Sequence, residues 1–413
     1  MDIVDLRNDS FANIIEKDER FDSIFGSFSS RPRLLYVVEA MGGGVFTYIV
    51  ELVNSLINDY DIYLAYGIRP QTPANYKDYF DPRVKLCFIK NFTRSINLNK
   101  DVQAFFEIRK LAKAVKPNIV HLHSSKAGAL GRFLFGFSDI PVFYTPHGYS
   151  FIMKDASPLK SFIYRSIEKI CALFNCTTVS CSAGENEETL KLTKRAVDID
   201  NGININELEK MVAMLSKNCK TIDREGYESV VFTLGRINTQ KNPSLFNEVA
   251  KLLPNVKFVW IGDGPLRNEL TAPNITITGW KSRKEALAIS LSCDVFVLTS
   301  LWEGLPLALL EAMYMKKPVV VSNVIGNNDV VKNKINGYVC NDANEFAFAI
   351  MDTDSHEKYV ENAYYEVVEH YNINNMKQKY SALYNESLFN STKEFNKKIY
   401  KYHVLEEEMR LVN

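Results

Sequence analysis

Residues 294–322 read DVFVLTSLWEGLPLALLEAMYMKKPVVVS. Asp294–Leu298 is a short apolar run rich in β-branched and aromatic residues, the composition of a buried strand. Pro306 suits the first turn of a helix, where a missing N–H costs nothing. Leu307–Met315 continues as an apolar helix, and Pro318–Ser322 is a second strand. Strand, loop, helix and strand in close succession make a parallel βαβ unit, with its sheet covered on both faces.

The same grammar runs outward from this unit. Upstream, Val230–Leu234 is a strand. Asn242 caps a helix that has Pro243 in its first turn, and Pro254 stops it. Strand Val256–Ile261 ends in the turn Gly262-Asp263-Gly264-Pro265, and Asn274–Thr278 is another strand. The first half repeats the pattern: strand Arg33–Val38, a glycine loop, helix Phe46–Asn58, strands Asp61–Tyr66 and Val84–Ile89, helix Val102–Val115, strand Asn118–His123, a helix after Ser124, then strands Val142–Thr145 and Thr177–Ser182. The fold class is therefore α/β, with two Rossmann-like doubly wound parallel-sheet domains facing a cleft and C-terminal helices behind them. The expected divisions are an extension at 1–30, a first domain at 31–205, a linker at 206–228, a second domain at 229–375 and a helical tail at 376–413. The tail, polar and rich in Tyr, reads as surface helix.

Bulk composition agrees. A chain of 413 residues suits two cores. Lys plus Arg and Asp plus Glu both number 49, which removes the basic surplus of a nucleic-acid binder, so no nucleic-acid partner is expected. The first thirty residues are acidic and lack the apolar segment of a signal peptide, and the apolar runs are too short to span a bilayer. The expectation is a cytoplasmic protein, with peripheral contact on the inner face of the membrane left open. Of seven Cys, Cys171, Cys176 and Cys181 match no zinc spacing, and the thiols read as buried and reduced. No metal and no cofactor is expected.

Ligands of open parallel sheets bind at the carboxyl ends of strands. After Val230–Leu234 come Gly235, Arg236 and, five residues on, Lys241. Two cations beside a helix start suit a diphosphate. After Asp294–Leu298 come Glu303, Gly304, Leu305, Pro306 and Leu307, whose backbone N–H groups can hold phosphate or sugar oxygens. Glu311 lies two turns into an apolar helix and needs a partner there. Gly279 and Trp280 follow Asn274–Thr278, where a loop can meet a base or Trp280 can pack in the core. The Gly262 turn resembles a phosphate loop without the dinucleotide spacing. In the first half, Gly43 and Gly44 precede a helix, Ser125 and Lys126 open another, and His147 with Gly148 follows a strand. His121 and His123 alternate along a strand as core residues do.

Together these residues resemble the GT-B glycosyltransferases of family 4, over nearly all of residues 33–375. The segments that carry the resemblance are EGLPLALLE at 303–311, GRINTQKN at 235–242, GDGP at 262–265, TGW at 278–280 and GGG at 42–44, in the family's order. HLHSSKAGALGR and YTPHGYSF narrow it to the bacterial branch that builds capsules, O-antigens and lipid-linked glycans. The resemblance implies a retaining transferase that works without metal or covalent intermediate. The nucleotide diphosphate-sugar donor would be a UDP-sugar, and the acceptor a glycan or polyprenyl-diphosphate-linked saccharide. Arg236 and Lys241 would stabilise the leaving diphosphate. Glu311 would hold the ribose, Glu303 and His147 the sugar, and Gly43 and Gly44 would face the phosphates and acceptor. The family's Gly-Gly-x-x-Glu element reads Gly326-Asn327-Asn328-Asp329 here.

Ser125, Lys126 and Arg94 are assigned to the acceptor side. Ser157–Phe174 is either an interfacial helix for anionic lipid or an ordinary amphipathic helix packed on the sheet. The alternatives to a transferase are a nucleotide-sugar epimerase of the same fold and a non-catalytic sugar- or nucleotide-binding protein.

Overall fold

The computed structural model describes residues 31–93, 96–153, 157–216 and 222–390. They form two lobes, each built on one parallel sheet. The first sheet runs in the order β3-β2-β1-β4-β5-β6-β7. Its strands are β1 (Arg33–Met41), β2 (Asp61–Ile68), β3 (Lys85–Phe88), β4 (Ile119–His123), β5 (Val142–Thr145), β6 (Thr177–Ser180) and β7 (Ala196–Asp198). The second sheet runs β10-β9-β8-β11-β12-β13. It comprises β8 (Ser229–Leu234), β9 (Val256–Ile261), β10 (Ile275–Ile277), β11 (Val295–Leu298), β12 (Val319–Ser322) and β13 (Tyr338–Cys340). Both orders reverse beside the first strand of the lobe, so each sheet has its crevice where β1 meets β4 and where β8 meets β11.

The central strands are buried along their whole length because helices cover both faces. All positions of β4, β9 and β11 are buried. The edge strands β7 and β13, three residues each, escape a reading by pattern, since so short a run carries no period. The six described cysteines are buried and none is in a disulfide.

The stretch read as a helical linker opens with helix Ile205–Ser216, whose Leu208 and Leu215 join the core with Ala286 and Leu287 of helix Arg283–Ser292. One feature departs from the expected layout. The described part of the tail, residues 376–390, is not a surface helix. Helix 373–390 returns to the first lobe and buries Tyr380 and Tyr384 completely. The Tyr384 hydroxyl lies 2.6 Å from His121 Nδ1 and 3.2 Å from the Tyr36 hydroxyl, and the Tyr380 hydroxyl 2.5 Å from that of Tyr48. A polar, Tyr-rich helix looks solvent-facing until a polar partner for each hydroxyl exists in the core.

The chain thus passes between the lobes twice, and the two passages pair. Ile203 N donates to Tyr371 O at 3.0 Å, and Ile373 N to Ile203 O at 2.9 Å. Gly202 is packed so close to Asn372 that a Cβ there would stand 2.3 Å from its carbonyl oxygen. This paired crossing joins the lobes.

Candidate active site

In the second lobe the loops after β8, β9 and β11 interlock. Gly262 Cα approaches the loop after β8 so closely that a Cβ would meet Gly235 O at 2.1 Å, and one on Gly264 would meet Ile237 O at the same distance. Gly262 also holds φ +145°, and Gly235 φ +150°. Trp260 Nε1 donates to Gly235 O at 2.8 Å, and Ile237 N to Asp263 O at 3.0 Å. The GDG turn therefore has a packing reason for its glycines: it braces the loop that carries Arg236.

Lys241 and Glu303 meet. Lys241 Nζ lies 2.6 Å from Glu303 Oε1, Ser300 Oγ donates to the same oxygen at 2.5 Å, and Gln240 Nε2 donates to Oε2 at 3.3 Å. Asn242, in the left-handed region at φ 50°, caps helix Pro243–Leu252 through its side chain. Thr299 Oγ1 donates to Lys241 O at 2.8 Å. Both ends of the Lys241–Glu303 pair are thus held by the backbone around them.

Glu311, buried in helix Leu307–Tyr314, has the partner its surroundings require. Arg283 Nη2 lies 2.9 Å from Glu311 Oε1, and Arg283 Nη1 lies 3.2 Å from Glu51 and 3.6 Å from Glu207. Burial opposes the charge on Arg283, but Glu311, Glu51 and Glu207 outweigh it and push its pKa further up. Burial raises the Glu51 carboxyl above its ordinary value, against Arg283. Glu51 belongs to first-lobe helix Gly43–Leu56, so one guanidinium ties the lobes together at the foot of the candidate ribose site.

The first-lobe side is different in kind. Gly42 caps helix Gly43–Leu56 without a side-chain acceptor, and a Cβ on Gly43 or Gly44 would meet nothing within 4 Å. That helix start opens onto free space. His147 holds φ 56°. Its Nε2 lies 3.0 Å from His123 Nδ1, its Nδ1 lies 3.5 Å from Cys181 Sγ, and its ring meets Tyr48 edge-on at 4.6 Å. Burial pushes the imidazole down to about 3, so it is neutral near pH 7. His121 is a satisfied core residue, bonded at Nδ1 to Tyr384 and at Nε2 to Thr145 Oγ1, 2.8 Å away.

The two halves touch where the sequence placed its strongest candidates. A Cβ on Gly304 would lie 3.3 Å from Gly148 N and 3.5 Å from His147 C. Asn201 Nδ2 donates to Leu305 O at 2.7 Å. Pro306 precedes helix Leu307–Tyr314 with no side-chain cap, leaving that helix start for other acceptors. Asp329 reaches across: its Oδ1 accepts from Gly184 N and its Oδ2 from Gly326 N, both at 3.0 Å. The residue standing where a Glu is usual thus caps a first-lobe helix.

Comparison with known proteins identifies the family. The model for group 1 glycosyl transferases matches residues 217–365, and that for Glycosyltransferase Family 4 matches 42–207. A UDP-Gal:alpha-D-GlcNAc-diphosphoundecaprenol alpha-1,3-galactosyltransferase of Escherichia coli is 36% identical over 302 residues, 66% of this chain and 76% of its own length. This chain belongs to the family 4 glycosyltransferases. An uncharacterised 41.2 kDa protein of the Klebsiella pneumoniae cps region is 28% identical over 341 residues, 78% of this chain and 89% of its own. Among solved structures, sucrose-phosphate synthase from Thermosynechococcus elongatus superposes with a TM-score of 0.73 at 18% identity, covering 87% of this chain and all of its own. Anabaena HepE in complex with UDP and glucose does so with a TM-score of 0.67 at 16% identity, over 86% of this chain and all of its own. These two likenesses carry the GT-B fold.

In this glycosyltransferase Lys241 and Glu303 pair beside the 304–307 turn, with His147 and Gly148 packed against Gly304, and Arg236 stands on the loop braced by Gly262 and Gly264. Trp280 is 58% exposed beside Gly279, which overturns core packing for that ring. Lys126 lies in the first lobe with its ammonium 2.7 Å from Asp101, and Ser125 Oγ lies 3.1 Å from Ser150 Oγ. Arg94 lies outside the described residues. Two positioning residues escaped sequence reading. Glu185 accepts from Gly148 N at 2.6 Å and Cys181 N at 2.7 Å, fixing the His147 loop. It was one acid among several in AGENEE, and only the fold singles it out. Arg283 opens a helix, and only the missing counter-charge of Glu311 hinted at it.

Proposed function

We propose that this enzyme moves a hexose from a UDP-sugar onto a polyprenyl-diphosphate-linked saccharide, with retention and without a metal ion, at the inner face of the membrane in surface-polysaccharide synthesis. The observation that carries the reading is the Lys241–Glu303 pair, 2.6 Å apart, beside a Gly304 turn that packs against the His147–Gly148 loop. Leaving-group departure needs the diphosphate neutralised. Arg236 supplies a delocalised cation and Lys241 has donors beyond the one on Glu303, so it can hold a phosphate oxygen as well. Arg283 engages one oxygen of Glu311, and a carboxylate's remaining acceptor sites suit ribose hydroxyls. Glu303 orients the sugar. The neutral His147 can exchange its weak Cys181 contact for a sugar hydroxyl.

Same-face attack by the acceptor hydroxyl as UDP leaves requires no protein nucleophile, so catalysis is positioning and electrostatics. The donor and acceptor classes rest on the Escherichia coli relative's name, and the cps-region relative supports the process. The test is UDP-hexose with a lipid-diphosphate GlcNAc acceptor, followed by proton NMR of the product. An α-linked product from an α-linked donor, formed equally in EDTA, is expected. Interconversion of the sugar without acceptor would favour an epimerase, and an inverted linkage would remove the same-face mechanism.

A further inference from the structure

Helix Pro158–Cys171 has its amphipathic faces the wrong way round for a protein in water. Leu159, Phe162, Ile163, Ile170 and Leu173 recur at spacings of three, four and seven, which places them on one face. In an ordinary surface helix that stripe is buried. Here these residues are 44–81% exposed, whereas only Glu168 and Cys171 are buried. Phe137, 87% exposed, extends the ridge: Phe174 packs edge-on against it at 5.1 Å. So large a contiguous apolar patch on a folded lobe signals a binding surface.

The charges around the ridge choose its occupant. The one acid on the helix, Glu168, points inward and pairs with Arg132 at 2.7 Å. Lys160 and Lys169 are exposed and flank the ridge on opposite sides. Arg195 is brought alongside by its bond to Phe174 O at 3.0 Å, and Arg165 lies over the Phe151 ring at 5.3 Å. Asp139 stands in the turn after Phe137 as an exposed acid. Two copies joined on this ridge would set lysine against lysine. A bilayer with anionic headgroups accepts the apolar side chains and the cations together.

We propose that this face, the outward side of helix Pro158–Cys171 with Phe137 and Leu173, seats the enzyme on an anionic membrane surface. The helix is tied to the active site: Ser161 Oγ donates to Phe151 O at 2.8 Å, and Phe151 stacks on Tyr149, two residues past His147, at 4.7 Å. A lipid-borne acceptor would thus meet the cleft from the plane in which it diffuses. The purpose of the contact rests on the lipid-linked acceptor proposed above; the contact itself does not.

Full-length protein is sedimented with vesicles of phosphatidylethanolamine and phosphatidylglycerol, or of phosphatidylcholine alone. Tight, salt-sensitive binding to the anionic vesicles is expected, without UDP-sugar. The triple variant L159S/F162S/I170S is expected to lose at least about 100-fold in partitioning. Neutralising Lys160 and Lys169 with Gln should cost about fivefold each. Both variants should keep the wild-type melting temperature and UDP affinity, so lost binding is not unfolding. The proposal is overturned if wild type stays in the supernatant, if the triple variant binds as well as wild type, or if wild type is a dimer that the triple variant dissolves. Vesicle binding with no transfer to a lipid acceptor would refute the proposed function and leave this inference standing.

Discussion

The two walls of the cleft are built on opposite principles. The second-lobe wall is charged and local: Arg236, Lys241 and Glu303 stand on loops that glycines lock together, each loop following its own strand. The first-lobe wall is neutral and assembled from afar. Three histidines and four tyrosines fill it, and two of those tyrosines come from helix 373–390. Burial lowers the pKa of His121 and His123 as it does that of His147, and raises those of Tyr36, Tyr48 and Tyr384. One wall handles charge that develops in the reaction. The other is backed by buried, uncharged rings that hydrogen-bond to one another.

The comparison breaks most visibly if the neutral wall is opened. Tyr384→Ala should cost about 3–5 kcal/mol of stability by leaving a cavity and unpartnered polar groups at Tyr36 and His121. Circular dichroism against urea measures it. A loss below about 1 kcal/mol would mean that helix 373–390 merely lies on the lobe. Arg236→Ala tests the charged wall, where the loss should fall on rate. A drop of about 100- to 1000-fold in kcat is expected with the fold intact, read as UDP release from UDP-hexose with acceptor present.

Paired glycine substitutions sharpen the contrast. Gly262→Ala forces a Cβ against Gly235 O at 2.1 Å and should cost about 1–3 kcal/mol. Gly44→Ala enters open space and should change stability by less than about 0.5 kcal/mol, while raising KM by narrowing the approach to the helix start. Equal melting shifts for the two would contradict the interlocked loops.

A separate effect belongs to pH. Burial, acting against hydrogen bonds from Cys181 and Gly148, raises Glu185 from 4.5 to about 6. A carboxyl raised in the folded state favours folding in its protonated form. Stability should therefore decline as pH rises from about 4.5 to about 6 and then level, by about 2 kcal/mol. Glu185→Gln should flatten that segment of the urea-midpoint curve, and an unchanged slope would assign the titration elsewhere.

What the sequence made legible follows the same division. The charged wall could be read because its groups sit within a few residues of strand ends, where composition announces the strand and chemistry follows it. Lys241 and Glu303 were named singly, and their mutual bond emerged only from the fold. The neutral wall resisted reading because its residues lie as far as 348 positions apart, as Tyr36 and Tyr384 do. A buried hydroxyl leaves no periodic trace. Arg283 and Glu185 act through partners on other elements, so spacing could not single them out. Helix Pro158–Cys171 was legible as amphipathic, but which of its faces met solvent depended on Glu168 finding Arg132.

The return of helix 373–390 to the first lobe has a consequence for biogenesis. A ribosome delivers residues 31–205 first, yet their core lacks Tyr380 and Tyr384 until the whole second lobe has been synthesised. The lobe that begins to form earliest is therefore the last to close. A nascent chain stalled before residue 373 would display His121 and Tyr36 without their hydroxyl partner, a natural mark for chaperone retention or proteolysis.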